Sequence, residues 1–312
     1  MPKLQTKATF NPDNALLSDA KTGNVPEEQG ELVIKQVVDS SLVTKLAKYE
    51  PMTKLRKKFT YLAEGPGAYW VSEGEKIQTS KAKWLQVEME AHKLAVILPV
   101  SNEFLSYTVS DFFSIMKPKI AEAFQAKFDK SVLFGGDDSP FPKGISVFER
   151  AETEGNIITQ TDSPYKDIND LMALIEDADL EPQAIATTRS YNKDLRGAVD
   201  TRNLPIFNGP REGVTGEVLG LPVAYGNRKA WDKKKAVALT GDFDNLFYGI
   251  PQGIEYKILE EATLTTVVGE DGKPINLAER DMVGLRATMY VAFLTVKADA
   301  FAALKPNAGA EA

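Results

Sequence analysis

Cysteine is missing altogether, and histidine occurs once in 312 residues, at position 92. Without thiols there is no disulfide, no thiolate metal site and no cysteine nucleophile, and the composition fits assembly in a reducing compartment without requiring it. A single imidazole confines Ser-His-Asp chemistry to the surroundings of His92, where no Gly-x-Ser-x-Gly turn lies nearby. Beside Lys93, on the polar face of a strand, His92 reads as an exposed strand residue. No run reaches the roughly 18 apolar residues of a membrane-crossing helix, and the start Met1-Pro2-Lys3-Leu4-Gln5 lacks the apolar core of a signal peptide. No membrane partner is expected. Neither the phosphate-binding loop nor the dinucleotide fingerprint occurs, because Gly65-Pro66-Gly67 lacks a third glycine and a following helix. A net charge of −7 argues against a broad electrostatic grip on nucleic acid, which needs clustered Lys and Arg to release counterions.

What is present suits a globular chain: 43% hydrophobic and 26% charged residues can bury one or two sizeable cores. The most informative stretch runs from Lys57 to Val100. It reads as one strand (57–63), a Gly/Pro-rich turn, and a return strand with Leu85, Val87, Met89 and Ala91 on one face and Gln86, Glu88, Glu90 and His92 on the other. An isolated two-stranded hairpin is marginal in water, so its apolar stripe and aromatic tip need a surface from elsewhere, and a second copy of the chain is the surface expected.

Around this hairpin the periodicity is mixed α and β. Residues 1 to about 30 read as a polar arm. An amphipathic helix is expected over Leu32 to Leu46, with an interruption at Asp39-Ser40-Ser41, ending before Pro51. After Pro99 the helical period takes over, with Ser101 or Asn102 as cap. Pro118 predicts a short helix ending near Met116 and a longer one that carries the proline in its first turn and runs to about Phe134, where Gly135-Gly136 stops it. Beyond a loop-rich stretch (135–165) come a helix carrying Ile168, Leu171, Leu174 and Ile175, a strand at 184–188, a helix near Tyr191 to Val199, and a strand after Gly220. Further strands are expected at 236–239, 246–250 and 254–258, and a long one, apolar on both faces and therefore central, from Arg286 to Val296.

Paired acids at Asp137-Asp138 and at Glu176-Asp177-Ala178-Asp179 have the residue types for a hard cation or acid-base work, but near-adjacent acids in loops and at helix ends are usually solvated. No catalytic, cofactor or metal residue is assigned. The basic run Lys54, Arg56, Lys57 and Lys58 has three readings: plain solvation, a nucleic-acid contact, or pairing with an acidic neighbouring surface that sets register between copies, the last being the functional use preferred. Tyr69, Trp70 and Trp84 either close a local mini-core at the tip or serve as interface anchors.

Four ordered stretches carry a family resemblance: Lys48-Tyr49-Glu50-Pro51-Met52, Pro66-Gly67-Ala68-Tyr69-Trp70-Val71-Ser72-Glu73-Gly74, Leu94-Ala95-Val96-Ile97-Leu98-Pro99-Val100, and Met116-Lys117-Pro118 leading into Ile120-Ala121-Glu122-Ala123-Phe124. Together with Gly220-Leu221-Pro222-Val223, Gly241-Asp242-Phe243, Tyr248-Gly249-Ile250 and Asp281-Met282-Val283-Gly284-Leu285-Arg286-Ala287, this order resembles the major capsid proteins of tailed bacteriophages. The resemblance implies an α+β chain of the Hong Kong ninety-seven-type capsid fold, with a peripheral domain, an axial domain, an extended hairpin loop and an N-terminal arm. The implied division is an arm over 1–30, a first peripheral part over 31–52, the extended loop over 53–93, the peripheral domain with its long helix over 94–162, the axial domain over 163–240, hinge and last peripheral strands over 241–305, and a tail over 306–312.

The function implied is non-enzymatic. Copies form hexamers and pentamers that close into an icosahedral shell around packaged double-stranded DNA, held without sequence-specific binding. The expected subunit-interface residues are Lys57, Lys58, Tyr69, Trp70, Glu73, Glu75 and Trp84. Scaffolding and portal proteins are the implied partners, a separate scaffold because only about 30 residues precede the first periodic segment, too few for a sizeable helical domain. Assembly in the host cytoplasm and residence in the virion capsid follow. Some relatives cross-link through a Lys-Asn isopeptide bond, and Lys76, Lys81 and Lys83 lie near the loop; non-covalent closure is expected here. An encapsulin-like cellular compartment is the runner-up, and a metal-dependent hydrolase using Asp137, Asp138, Glu176 and Asp177 the rival of another class.

Overall fold

Capping residues, apolar periodicity and glycine stops set the elements of the computed structural model, which describes residues 41–64, 70–71, 73, 76, 83–107, 112–200, 202, 204–209, 216–268 and 274–307. The expected arm (1–30) and the first part of the expected helix over 32–46 lie outside these residues. α1 (Leu42–Leu46) leads to β1 (Lys48–Tyr49) and to an antiparallel pair, β2 (Arg56–Glu64) and β3 (Lys83–Glu90). β4 (His92–Ser101) follows a one-residue break at Ala91, then α2 (Asn102–Tyr107) and α3 (Phe112–Phe134). Next come α4 (Val147–Glu154), β5 (Ile157–Thr159), α5 (Pro164–Glu176), β6 (Ala184–Thr187), α6 (Asn192–Gly197), β7 (Phe207–Asn208), β8 (Glu217–Val218) and β9 (Leu221–Tyr225). β10 (Ala238–Gly241), β11 (Leu246–Leu259), β12 (Thr263–Val268), β13 (Pro274–Asn276), β14 (Met282–Thr295) and β15 (Phe301–Lys305) complete the chain.

The stretch that reads as loop-rich (135–165) carries α4 and β5, periodicity does not single out β12 and β13, and three further elements differ from the periodicity reading. α3 runs unbroken, with Pro118 at its seventh position rather than in a first turn. The carbonyl just before the proline, that of Lys117, accepts the Tyr256 hydroxyl at 3.1 Å, and the Lys117 ammonium sits 5.6 Å from the centre of that ring. The bond that the proline removes is the one from position 118 to the Ser114 carbonyl, so the Tyr256 contact touches the helix beside that point without replacing the missing donor. The strands read separately at 246–250 and 254–258 are one, β11. β1 pairs only with Phe247 and Tyr248, so Pro251 falls beyond the end of that ladder. β15, a short run that is apolar from Phe301 to Leu304 and has no alternation, is a strand that periodicity does not single out. The long β14 does lie inside its sheet, between β11 and β4 in the order β1-β11-β14-β4.

The chain forms two compact units. In the unit of 93–125 and 252–289, Ile120 and Phe124 of α3 pack with Leu285 and Ala287, and Phe113 packs against them. Alternate residues of β4, Leu94, Val96 and Leu98, join the same cluster. Ser101 caps α2, its Oγ accepting the amide of Phe104 at 3.2 Å. A smaller core gathers Leu264, Ile275, Leu277 and Met282.

The second unit, 40–92, 126–251 and 290–312, holds a seven-stranded sheet of order β5-β15-β10-β6-β9-β8-β7. β10 runs antiparallel to both β15 and β6, while β6 and β9 run parallel. α5 buries Ile168, Leu171 and Ile175 in one core with Ile185, Val223, Ala302 and Leu304. Gly241 stands opposite Phe301, where a Cβ would fall 2.3 Å from the Ala300 carbonyl oxygen, so strand pairing at this point needs glycine. The C-terminal end of α3 enters this unit through Phe134, edge-on to Trp231 at 5.2 Å.

Candidate subunit interface

The hairpin owes its geometry to a regular register: Arg56 opposes Glu90, Lys57 opposes Met89, Lys58 opposes Glu88, Phe59 opposes Val87 and Leu62 opposes Trp84. Because successive strand residues point to opposite faces, Phe59, Val87 and Met89 share one side and the charged pairs the other. The alternation predicted for the return strand holds, with Met89 and Ala91 buried and Gln86, Glu88 and Glu90 exposed.

The apolar side is divided along its length. At the base, Met89 and Ala91 form a core with Met52, Ala292 and Leu294, joined by Phe59, Val87 and Val296. Phe59 also stacks on Phe247 with ring centres 6.3 Å apart. This corrects the expectation that the stripe finds no cover on its own chain: Met89 is 0% exposed. Farther out the cover ends, leaving Leu85 at 41% on this side; Trp84, which alternates with Gln86 and Glu88 on the opposite face, is 63% exposed, and Trp70 is fully solvent-exposed. Trp70 therefore takes no part in a closed mini-core. Glu73 and Lys76 are exposed as well, while Tyr69, Glu75, Lys81, the Gly65-Pro66-Gly67 turn and the side chain of Lys83 lie outside the described residues.

The basic run is partly engaged within the chain. The Lys57 ammonium contacts the Glu50 carboxylate and donates to the Pro51 carbonyl at 2.8 Å. Arg56 donates to Glu90 at 2.8 and 3.1 Å, a hydrogen bond that holds the Glu90 carboxyl below its ordinary range and the guanidinium above its own. Both are intramolecular: Arg56–Glu90 spans the two strands, and Lys57–Glu50 ties β2 to the segment before it. Lys58 remains exposed on the polar side. His92 is half-buried rather than exposed, its ring edge-on to Phe141 at 4.8 Å, because the break at Ala91 turns it away from the polar face of β3.

In the same unit a single carboxylate ties the start of α1 to α3. Asp129, 2% exposed, accepts the Ser41 hydroxyl and the amides of Leu42 at 2.8 Å and Val43 at 3.4 Å. Burial pushes its pKa up, although these three hydrogen bonds pull the other way. Sequence reading passes over this residue, because an acid beside Phe128 and Lys130 in a helix looks like part of the solvated face.

The acids considered for metal or acid-base chemistry do not gather. Asp137 pairs with Lys143 at 2.9 Å, which lowers its pKa, and Asp138 lies 3.9 Å from Lys127. Glu176 ends α5 and Asp177 is its C-cap. Among the described residues no three His, Asp or Glu side chains converge on a metal position, and no helix is long and apolar enough to cross a membrane.

Comparison with known proteins matches residues 23–305 to the family model described as the phage capsid family. The chain is 45% identical over 298 residues to the major capsid protein of Staphylococcus phage 80alpha, covering 95% of this chain and 89% of that one. A solved chain from Microbacterium phage Oxtober96 superposes with a TM-score of 0.75 at 29% identity, over 93% of this chain and 98% of the other. One from Mycobacterium phage Adephagia gives 0.76 at 22% identity, over 92% and 97%, a likeness of fold alone.

Proposed function

Because the chain belongs to the phage capsid family, has its Hong Kong ninety-seven-type fold and serves as a phage major capsid protein, we propose that its copies associate as hexamers and pentamers. These close into an icosahedral shell around double-stranded DNA in the host cytoplasm. Scaffolding and portal proteins are the partners of assembly, and the DNA is enclosed without sequence recognition. In this reading 163–240 is the axial domain, 53–93 the extended loop, 1–30 the arm, and the segments 31–52, 94–162 and 241–305 the peripheral domain with its hinge.

The observation that supports it is the divided hairpin. Its base is anchored, which fixes the direction in which it projects, and its outer part presents Trp84, Leu85 and Trp70 to solvent. Aromatic and aliphatic side chains bury a large area on docking with few rotamers to freeze, the property of interface anchors. A neighbouring copy is the occupant proposed, with Lys58, Glu73 and Glu75 at the rim and Lys57 contributing through its packing. Closure is non-covalent. The test is electron microscopy of the purified protein with and without a candidate scaffold: closed shells support the reading, and a protein that stays monomeric under both conditions overturns it.

A further inference from the structure

The two ends of the seven-stranded sheet carry opposite charge. β6 and β9 run parallel and β10 antiparallel to them, so the segment after β6 and the segment leading from β9 into β10 emerge at one end. They are held together there: the Thr187 hydroxyl donates to the Val237 carbonyl at 2.8 Å and the Gly226 amide to the Thr187 carbonyl at 2.8 Å. A cavity of about 250 Å³ lies between them, lined by Ser190, Asp194, Trp231 and Lys233. From these segments Lys193, Arg196, Arg228 and Lys233 project as exposed cations. Asp194 and Asp232 are also present, but Asp232 is turned onto the backbone, accepting the Lys234 amide at 3.0 Å. Trp231 fixes the loop by burying its ring and donating from Nε1 to the Ala236 carbonyl at 2.8 Å.

At the other end of the same strands the sign reverses. Glu176, Asp177, Asp179 and Glu181 are exposed in the segment leading into β6. The turn after β10 meets this segment where Gln183 Nε2 donates to Asp242 at 3.1 Å. The four residues of β6 separate the two ends by roughly 13 Å at about 3.3 Å per residue, more than the roughly 10 Å screening length at moderate salt. The ends therefore cannot neutralise each other within one molecule.

We infer that the basic end of this sheet is an interaction surface for the acidic end of the same sheet in a second copy, a head-to-tail contact between neighbours in a ring. The inference rests on the self-assembly reading above and assigns to it a specific contact. A second copy is favoured over a polyanion because the chain as a whole is negative by seven charges, which opposes the approach of phosphate while leaving local complementarity between copies intact. Contacts of two different patches are heterologous, and such contacts generate rings when the rotation closes.

Reciprocal charge reversal tests it on the full chain, with capsomer formation read by mass photometry. One variant carries Lys193→Glu, Arg228→Glu and Lys233→Glu, the other Glu176→Lys, Asp177→Lys and Glu181→Lys, which invert the sign of each end, and a neutral variant carries Lys193→Gln, Arg228→Gln and Lys233→Gln. Each reversal alone should weaken association about tenfold or more, the neutral variant less, and an equal mixture of the two reversals should restore six-membered rings by alternation, since each then offers the other complementary ends. Thermal melts of all three variants should match wild type, which separates lost contact from lost fold. Reversals that associate like wild type, or a mixture that fails to recover while both partners remain folded, would overturn the contact. Normal association with weaker retention of duplex DNA would also overturn it, in favour of a phosphate-binding role. A wild-type chain that never oligomerises would instead fault the underlying assembly reading.

Discussion

At the residue scale Asp129 carries the most weight, since one buried carboxylate satisfies three donors at the start of α1. Asp129→Ala leaves those donors without a partner in a buried setting, and the loss should be about 2–4 kcal/mol in chemical denaturation. A substitution that costs under about 0.5 kcal/mol would show that water takes over the role. The same residue predicts a pH dependence. Its folded-state pKa is raised above the ordinary 3.8, so the folded chain holds that proton more tightly than the unfolded one. The stabilisation is complete below the unfolded value and is lost as pH rises through the folded value. Wild type should therefore lose stability relative to Asp129→Asn as pH rises from 3.8. A difference that stays flat across the acid range would contradict the shift.

At the scale of elements, the hairpin separates two kinds of apolar side chain that the sequence presents identically. Met89 and Leu85 alternate on the same face, yet one is buried on its own chain and the other is not. Met89→Ala should cost the isolated chain about 2–5 kcal/mol in a denaturant titration. Leu85→Ser should stay within about 0.5 kcal/mol of wild type in the same measurement but impair assembly. Equal destabilisation by both would mean that the outer ribbon also packs on its own body. Gly241→Val offers a control in the seven-stranded sheet. The added side chain meets backbone at Ala300, and a loss of about 1–3 kcal/mol or more is expected from thermal melts.

These elements also show what sequence could and could not convey. Alternation over 85–91 and helical spacing through Phe104 to Phe128 mark strand and helix because burial on one face leaves a period. The outer aromatics of the hairpin were legible as interface candidates on a different ground, the large area such side chains bury with few rotamers to freeze. β15 was not, because a strand buried on both faces has no alternation, and Pro118 misleads because a long helix whose neighbouring turns are packed, here through Ile120 and Phe124, tolerates the loss of one internal hydrogen bond. Half of the hairpin's cover was equally hidden. Met52, Ala292 and Leu294 come from distant segments, and only folding brings them beneath Met89. Lys57 and Arg56 look alike in a basic run, and only the folded chain shows that both are engaged by its own carboxylates, Arg56 across the hairpin and Lys57 by Glu50 before it.

For the whole molecule, family membership, a ribbon anchored at one end, and a lobe with ends of opposite charge all describe a subunit that is incomplete alone. The central claim is that the outer hairpin, exposed on a single chain, is covered by a neighbouring copy in the shell. An electron cryomicroscopy reconstruction of assembled particles tests it most directly. The account predicts closed shells in which Trp84 and Leu85 are buried against an adjacent subunit; closed shells that leave both side chains bare to solvent would contradict it.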